Sequence, residues 1–122
     1  MTIDFDQLQA VARGLTLRFP DGDDPFQMMT RLFEESGELA QQVNHFEGRG
    51  VKREKHGEPD RAKLAQEIRD VLTCVMHIMD HYDVEEEVAA SMAQAYQRLR
   101  REGFITDRQS SLLKRDPLDT PG

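Results

Sequence analysis

Acidic side chains recur at helical spacing in two separate stretches of the chain. Glu34, Glu35 and Glu38 are three or four positions apart, so on an α-helix their carboxylates are neighbours on one surface. Like charges at this spacing destabilise a helix by roughly 0.2–0.5 kcal/mol per pair, and the next two turns supply no lysine or arginine. The cluster therefore needs a cation from elsewhere. Glu67 and Asp70 repeat the three-residue spacing further along the chain.

The two acidic stretches can meet if their helices pack side by side. An antiparallel hairpin with its loop around residues 47–59 would let four carboxylates converge, those of Glu35, Glu38, Glu67 and Asp70. Two carboxylates ~5 Å apart repel by about 3 kcal/mol at an effective dielectric constant of about 20, so a cluster of them needs a divalent cation or protons. Ligation by oxygen alone suits Mg²⁺ or Mn²⁺ rather than zinc.

Two other metal sites are weaker alternatives. A di-iron carboxylate centre needs Glu-x-x-His on two helices, and here Glu38 and Asp70 stand where those histidines would be. Cys74, His77 and His81 share an arc with Asp70, and histidines four positions apart can bind zinc. We favour the interpretation that these three residues are ordinary partly buried side chains or interface groups.

Capping residues and apolar spacing predict four helices, over roughly residues 3–19, 25–46, 60–82 and 84–102. Asp24-Pro25 starts the second, and Asp83 is expected to cap the fourth. The second helix carries an apolar stripe, formed by Met29, Leu32, Phe33, Ser36, Ala40 and Val43. The third has the broadest apolar face and is expected to be the most buried, with Leu64, Ile68, Val71, Leu72, Val75, Met76 and Met79 on that face.

Four helices with short connections predict an all-α, four-helix bundle-like fold. We expect one domain over residues 1–105 and a flexible C-terminal tail over residues 106–122, where the chain becomes polar. The net charge of −7 argues against binding of a nucleic-acid polymer. The single cysteine, Cys74, suits a reducing cytoplasm, and no apolar segment is long enough to span a membrane.

The acidic pattern also resembles a known family. Glu34-Glu35-x-x-Glu38, followed after 28 residues by Glu67-x-x-Asp70, is similar to the signature of the MazG-like, all-α nucleoside triphosphate pyrophosphohydrolases. The flanking residues resemble the short, single-domain members: Met28-Met29-x-Arg31-Leu32 and Gly37-Glu38-Leu39-Ala40-x-x-Val43-Asn44-His45. The resemblance covers roughly residues 25–100. It implies a MazG fold and a homodimer or dimer of dimers, with each nucleotide pocket lined from two chains.

The resemblance implies an enzyme that converts a (d)NTP to its monophosphate and pyrophosphate with Mg²⁺, or with Mn²⁺ in its place, to remove non-canonical or excess nucleotides. The expected metal ligands are Glu35, Glu38, Glu67 and Asp70. Glu34 and Glu35 are the catalytic candidates, with Glu34 as an extra ligand or as the base that orients water. The candidates for substrate binding are Lys52, Arg53, Lys55, Lys63, Asn44 and Arg98.

One departure from the family pattern leaves the substrate open. Ala95 stands where members often carry a basic residue before an aromatic one, although Tyr96 keeps the aromatic. One alternative is a relative of the same superfamily that acts on phosphoribosyl-ATP or dUTP. The other is a non-catalytic helical interaction or regulatory protein that has kept the acidic face. A panel of nucleotides with Mg²⁺ separates the three hypotheses.

Overall fold

The computed structural model describes residues 2–48 and 57–106, and the regular structure of these residues is entirely helical. Its elements are α1 (Phe5–Arg18), a short 3-10 helix (Pro20–Gly22), α2 (Pro25–Phe46), α3 (Arg61–Tyr82) and α4 (Glu85–Arg101). The predicted all-α class is confirmed, and each predicted helix end lies within two residues of the observed one. The predicted tail from residue 107 onward lies outside the described residues.

Aspartate side chains fix the starts of the first three helices. Asp4, Asp24 and Asp60 each accept a hydrogen bond from the backbone N–H two residues later, at 2.8, 2.8 and 2.9 Å. Such caps satisfy one of the free N–H groups at a helix start. The predicted cap at Asp83 is wrong. This residue has a φ of 52° and ends α3 in the left-handed region, which aspartate tolerates, and Val84 precedes α4 without a side-chain cap.

The chain divides into two compact units, Met1–Asp83 and Val84–Gly122. In the first unit, α3 packs against both α2 and α1. In the second, α4 carries Glu85, Glu86 and Glu87 in its first turn and three arginines in its last, which complements the helix dipole at both ends. A four-helix arrangement of the MazG type, and one domain ending at residue 105, stay predictions.

The buried face of α3 agrees with the predicted one only in part. Met76 and Met79 are buried as expected, but Ile68, Leu72 and Val75 of the predicted face are exposed. The other buried residues were not predicted, and they are Glu67, which is only 2% exposed, Thr73 and Cys74. On α2, Met28 is buried, and Met29, Phe33 and Val43 of the predicted stripe are exposed. The expected burial was wrong at the exposed positions because α3 turns the side that carries Glu67, Cys74 and Met76, not the centre of its apolar arc, toward its neighbours. None of the helices in the described part of the chain is long and apolar enough to cross a membrane.

Candidate metal centre

Three of the four predicted metal ligands come together between α2 and α3. Carboxylate oxygens of Glu35, Glu38 and Glu67 all lie within 4.8 Å of one another. The spacing of Glu35 and Glu38 places both on one face of α2, and the packing of α3 against α2 brings Glu67 to that face. Such a group of hard oxygen donors suits Mg²⁺ or Mn²⁺.

Two oxygens of this cluster are buried without a hydrogen-bond partner among the described residues. They are Oε2 of Glu35 and Oε2 of Glu67. The other oxygen of Glu67, Oε1, lies 3.0 Å from Nζ of Lys63 in an ion pair one turn along α3. A buried oxygen that lacks a donor costs about 1–3 kcal/mol, and more when it is charged. A bound cation would satisfy both oxygens, so the residues present fit a divalent metal.

Within the cluster, the carboxyl group of Glu35 has a strongly raised pKa. The pKa of Glu35 is raised from its ordinary 4.5 to about 7. Burial is the largest cause, followed by the negative charges of Asp70 and Glu38, a hydrogen bond with Glu38 and the charge of Glu67. Near neutral pH this carboxyl group therefore holds a proton for a large part of the time. Because a metal ligand must be deprotonated, binding of a cation to the cluster should release that proton.

The remaining predicted acidic residues lie less centrally. Asp70 is outside the group of three, and its Oδ1 accepts a hydrogen bond from Nη2 of Arg69 at 3.2 Å. Its negative charge still raises the pKa of Glu35, and its place as a fourth ligand stays a prediction. Glu34 is exposed and does not belong to the group. Its role as an extra ligand or as the base that orients water stays a prediction.

The predicted phosphate-binding residues differ in how close they lie to the carboxylate cluster. Lys63 lies at the cluster, where a hydrogen bond to Glu67 and its charge raise the pKa of the lysine. Asn44 is exposed near the end of α2, and Arg98 is exposed on α4 in the second compact unit. The other predicted residues, Lys52, Arg53 and Lys55, lie outside the described residues. Among the described candidates, the structure brings only Lys63 to the carboxylates.

Sequence reasoning missed several partners of these residues. The ion pair of Lys63 with Glu67 could have been found, because their spacing of four positions is the standard helical one. The contact of His45 Nε2 with the carbonyl oxygen of Gly57, at 2.8 Å, had no such signal. The same is true of Asp23, whose Oδ1 lies 3.8 Å from His77 Nε2 and 3.5 Å from His81 Nδ1.

Cys74 is a poor nucleophile in this setting. It is buried on α3, and burial raises the pKa of its thiol. The negative charges of Glu35 and Asp70 act in the same direction, and the positive charge of Arg31 opposes them. Since the thiolate is the reactive form, the thiol is expected to be unreactive at neutral pH.

The fold and the site together define an all-α protein with a carboxylate cluster between two packed helices. No family model matches the chain, and no solved structure matches it significantly. The chain is similar to the uncharacterized protein YpjD of Bacillus subtilis (strain 168), with 42% identity over 65 residues. The match covers 53% of this chain and 56% of YpjD, so the chain spans little more than half of that relative.

Proposed function

We propose that the protein is a Mg²⁺-dependent nucleotide pyrophosphohydrolase, which converts a (d)NTP to its monophosphate and pyrophosphate. The observation that carries the proposal is the group of Glu35, Glu38 and Glu67, with two buried carboxylate oxygens that lack a donor among the described residues. The spacing of these residues, which resembles that of MazG-like enzymes, supports the same assignment. We also propose that the protein acts in the cytoplasm, which suits its single cysteine.

The residues of the cluster divide the chemistry between them. Glu35, Glu38 and Glu67 would hold the ion, with Asp70 as the predicted fourth ligand. Bound Mg²⁺ would supply positive charge to the phosphate oxygens and acidify the attacking water. Glu35 has a pKa of about 7 in the metal-free cluster, so it would give up its proton when it binds the ion. Glu34, next to it on α2, is the proposed base that accepts a proton from water. Once Glu67 is neutralised, Lys63 is free to turn toward a phosphate and donate charge-assisted hydrogen bonds.

Product analysis tests this proposal. The purified protein is incubated with Mg²⁺ and a panel of canonical and damaged (d)NTPs, phosphoribosyl-ATP and dUTP, and the products are separated by anion-exchange chromatography. We expect a monophosphate and pyrophosphate, formed only when the divalent ion is present. Turnover of phosphoribosyl-ATP or dUTP alone would instead indicate a phosphoribosyl-ATP or dUTP pyrophosphatase of the same superfamily. Release of diphosphate and orthophosphate would refute the bond assignment, and no turnover of any compound would favour a non-catalytic role.

We also propose that the protein forms a homodimer or a dimer of dimers. Phe33 on α2 is 70% exposed, and Ile68, Leu72 and Val75 on α3 are exposed although they form an apolar row. Apolar surface of this kind often marks a protein interface, because its burial is favourable. A second copy would cover it and would bring further residues to each carboxylate cluster.

Light scattering at micromolar concentration is expected to give at least twice the 14.0 kDa mass of one chain. Phe33→Lys should shift the protein toward the monomer, since the charge would have to be buried in the interface. Leu17→Lys, which changes an exposed residue of α1, serves as the matched control and should leave the mass unchanged. A mass of one chain for the unaltered protein would remove this claim.

A further inference from the structure

Two histidines and an aspartate meet at the opposite end of α3 from the carboxylate cluster. His77 and His81 are one turn apart on α3, and Asp23 follows the short 3-10 helix that connects α1 to α2. The Asp23 Oδ1 atom lies 3.8 Å from His77 Nε2 and 3.5 Å from His81 Nδ1. We propose that these three residues form a second metal site, for Zn²⁺ or a similar late first-row divalent ion.

Both separations at Asp23 are longer than direct hydrogen bonds and leave room for an ion. Hydrogen bonds between nitrogen and oxygen are typically about 2.7–3.2 Å long, shorter than both separations at Asp23. Two ligands on one tetrahedral zinc lie about 3.3 Å apart when each bond is about 2.0–2.1 Å long. The two nitrogens, His77 Nε2 and His81 Nδ1, are farther apart than the 4.8 Å that spans the carboxylate group. The imidazole rings would therefore have to turn toward each other to share one ion.

The burial of the donors also points to a ligand. Nε2 of His77 is buried and has no hydrogen-bond partner among the described residues. The His77 side chain is 15% exposed and that of His81 is 27% exposed, whereas Asp23 is open to solvent. An ion could therefore enter past Asp23, bind the buried nitrogen and keep water as its remaining ligand.

The donor set determines which ion would bind. Two imidazoles and one carboxylate are typical ligands of zinc and similar ions, and histidines at positions i and i+4 of one helix can bind the same ion. The carboxylate cluster, with oxygens alone, prefers Mg²⁺. Glu67 and His77 are separated by ten residues of α3, or about 15 Å along the helix axis, so the two sites would not share an ion. A bound ion would tie the connection between α1 and α2 to α3.

The neighbouring acidic residue on α3, Asp80, is engaged elsewhere. Its two oxygens accept hydrogen bonds from Arg13 at 3.1 and 3.4 Å, and Oδ1 lies 3.4 Å from Nε2 of Gln9 on the same helix as Arg13. This link joins α1 to α3 without involving Asp23. Asp23 is therefore the carboxylate that the structure directs to the two histidines.

Titration of the chelator-treated full chain with Co²⁺ and Zn²⁺, in excess Mg²⁺ to occupy the carboxylates, tests this proposal. We expect one equivalent of Co²⁺ to give visible absorption bands that Zn²⁺ displaces. Asp23→Asn and His81→Gln, both at partly exposed positions, should each weaken Zn²⁺ binding by about a hundredfold or more, because each removes a direct ligand. Glu38→Gln and Cys74→Ser should leave it unchanged, which separates this site from the carboxylate cluster and from the thiol.

Two results would overturn the proposal. One is the absence of one-to-one binding at micromolar Zn²⁺, which would reduce the three residues to histidine–aspartate ion pairs. The other is binding that survives both Asp23→Asn and His81→Gln, which would place the ion elsewhere. Neither result depends on hydrolysis of a nucleotide, so this inference can fail while the proposed function stands.

Discussion

Glu38→Gln is expected to reduce nucleotide turnover by about a thousandfold or more while leaving the metal-free fold intact. The substitution removes one of the three clustered carboxylates. A catalytic metal stabilises the transition state by several kcal/mol, and each loss of about 1.36 kcal/mol lowers the rate about tenfold. Glu38 is exposed, so the substitution leaves no buried charge without a partner, and it relieves repulsion on Glu35. The measurements are kcat/KM over a Mg²⁺ titration and thermal melting in a chelator.

The matched control for this variant is Glu47→Gln, which makes the same change at the C-terminal end of α2, away from the cluster. We expect normal turnover for the control. Asp70→Asn then decides whether the fourth predicted ligand takes part, since it should weaken Mg²⁺ binding if it does. A Glu38→Gln protein that keeps most of its activity at saturating Mg²⁺ would show that this residue is not a ligand. A melting temperature lowered by many degrees would instead indicate a structural role.

The metal-free protein is expected to lose stability as the pH rises from about 4.5 to about 7. The folded-state pKa of Glu35 is about 7 and its ordinary value is 4.5, so in this window the folded state binds more protons than the unfolded state. The contribution of Glu35 is therefore fully present below pH 4.5 and is lost as the pH rises through 7. For a partly exposed group, the change in the free energy of unfolding is about 1–3 kcal/mol.

Urea denaturation in a chelator at pH 5 and pH 8 measures this change. Glu35→Gln should be more stable than the unaltered protein at pH 8, since a neutral amide removes both the burial of charge and the repulsion. The Glu47→Gln control should keep the original dependence on pH. Saturating Mg²⁺ should restore stability at pH 8, by about 2.7 kcal/mol at a hundredfold excess over the dissociation constant. An identical loss of stability with pH in Glu35→Gln would mean that another group is responsible.

Local signals in the sequence were sufficient for the helices and for part of the site. Asp24 and Pro25 mark the start of α2 through capping and a fixed φ angle, which do not depend on the rest of the fold. The spacing of Glu35 and Glu38 places them together on any α-helix. Glu67 joins them because α2 and α3 pack against each other. The sequence favours this packing, since both helices have apolar residues at helical spacing.

The rotation of each helix could not be predicted from its pattern. The apolar arc of α3 is broad, so several rotations bury similar areas, and the one adopted buries Glu67 at the expense of Ile68 and Val75. Helix and capping propensities likewise could not predict that Asp83 adopts a left-handed backbone conformation and ends α3. The meeting of Asp23 with His77 and His81 depends on the course of the chain between α1 and α2, which has no pattern of its own.

The central claim is that Glu35, Glu38 and Glu67 hold the divalent ion on which hydrolysis depends. The most direct test is a crystal structure of the protein with Mn²⁺, in which anomalous scattering locates the ion independently of the refined side chains. We predict an anomalous peak within about 2.0–2.6 Å of oxygens from all three carboxylates. The peak should be absent from crystals of the Glu38→Gln variant grown in the same way. A well-ordered carboxylate cluster without a peak at millimolar Mn²⁺, or a peak only at His77 and His81, would contradict the claim.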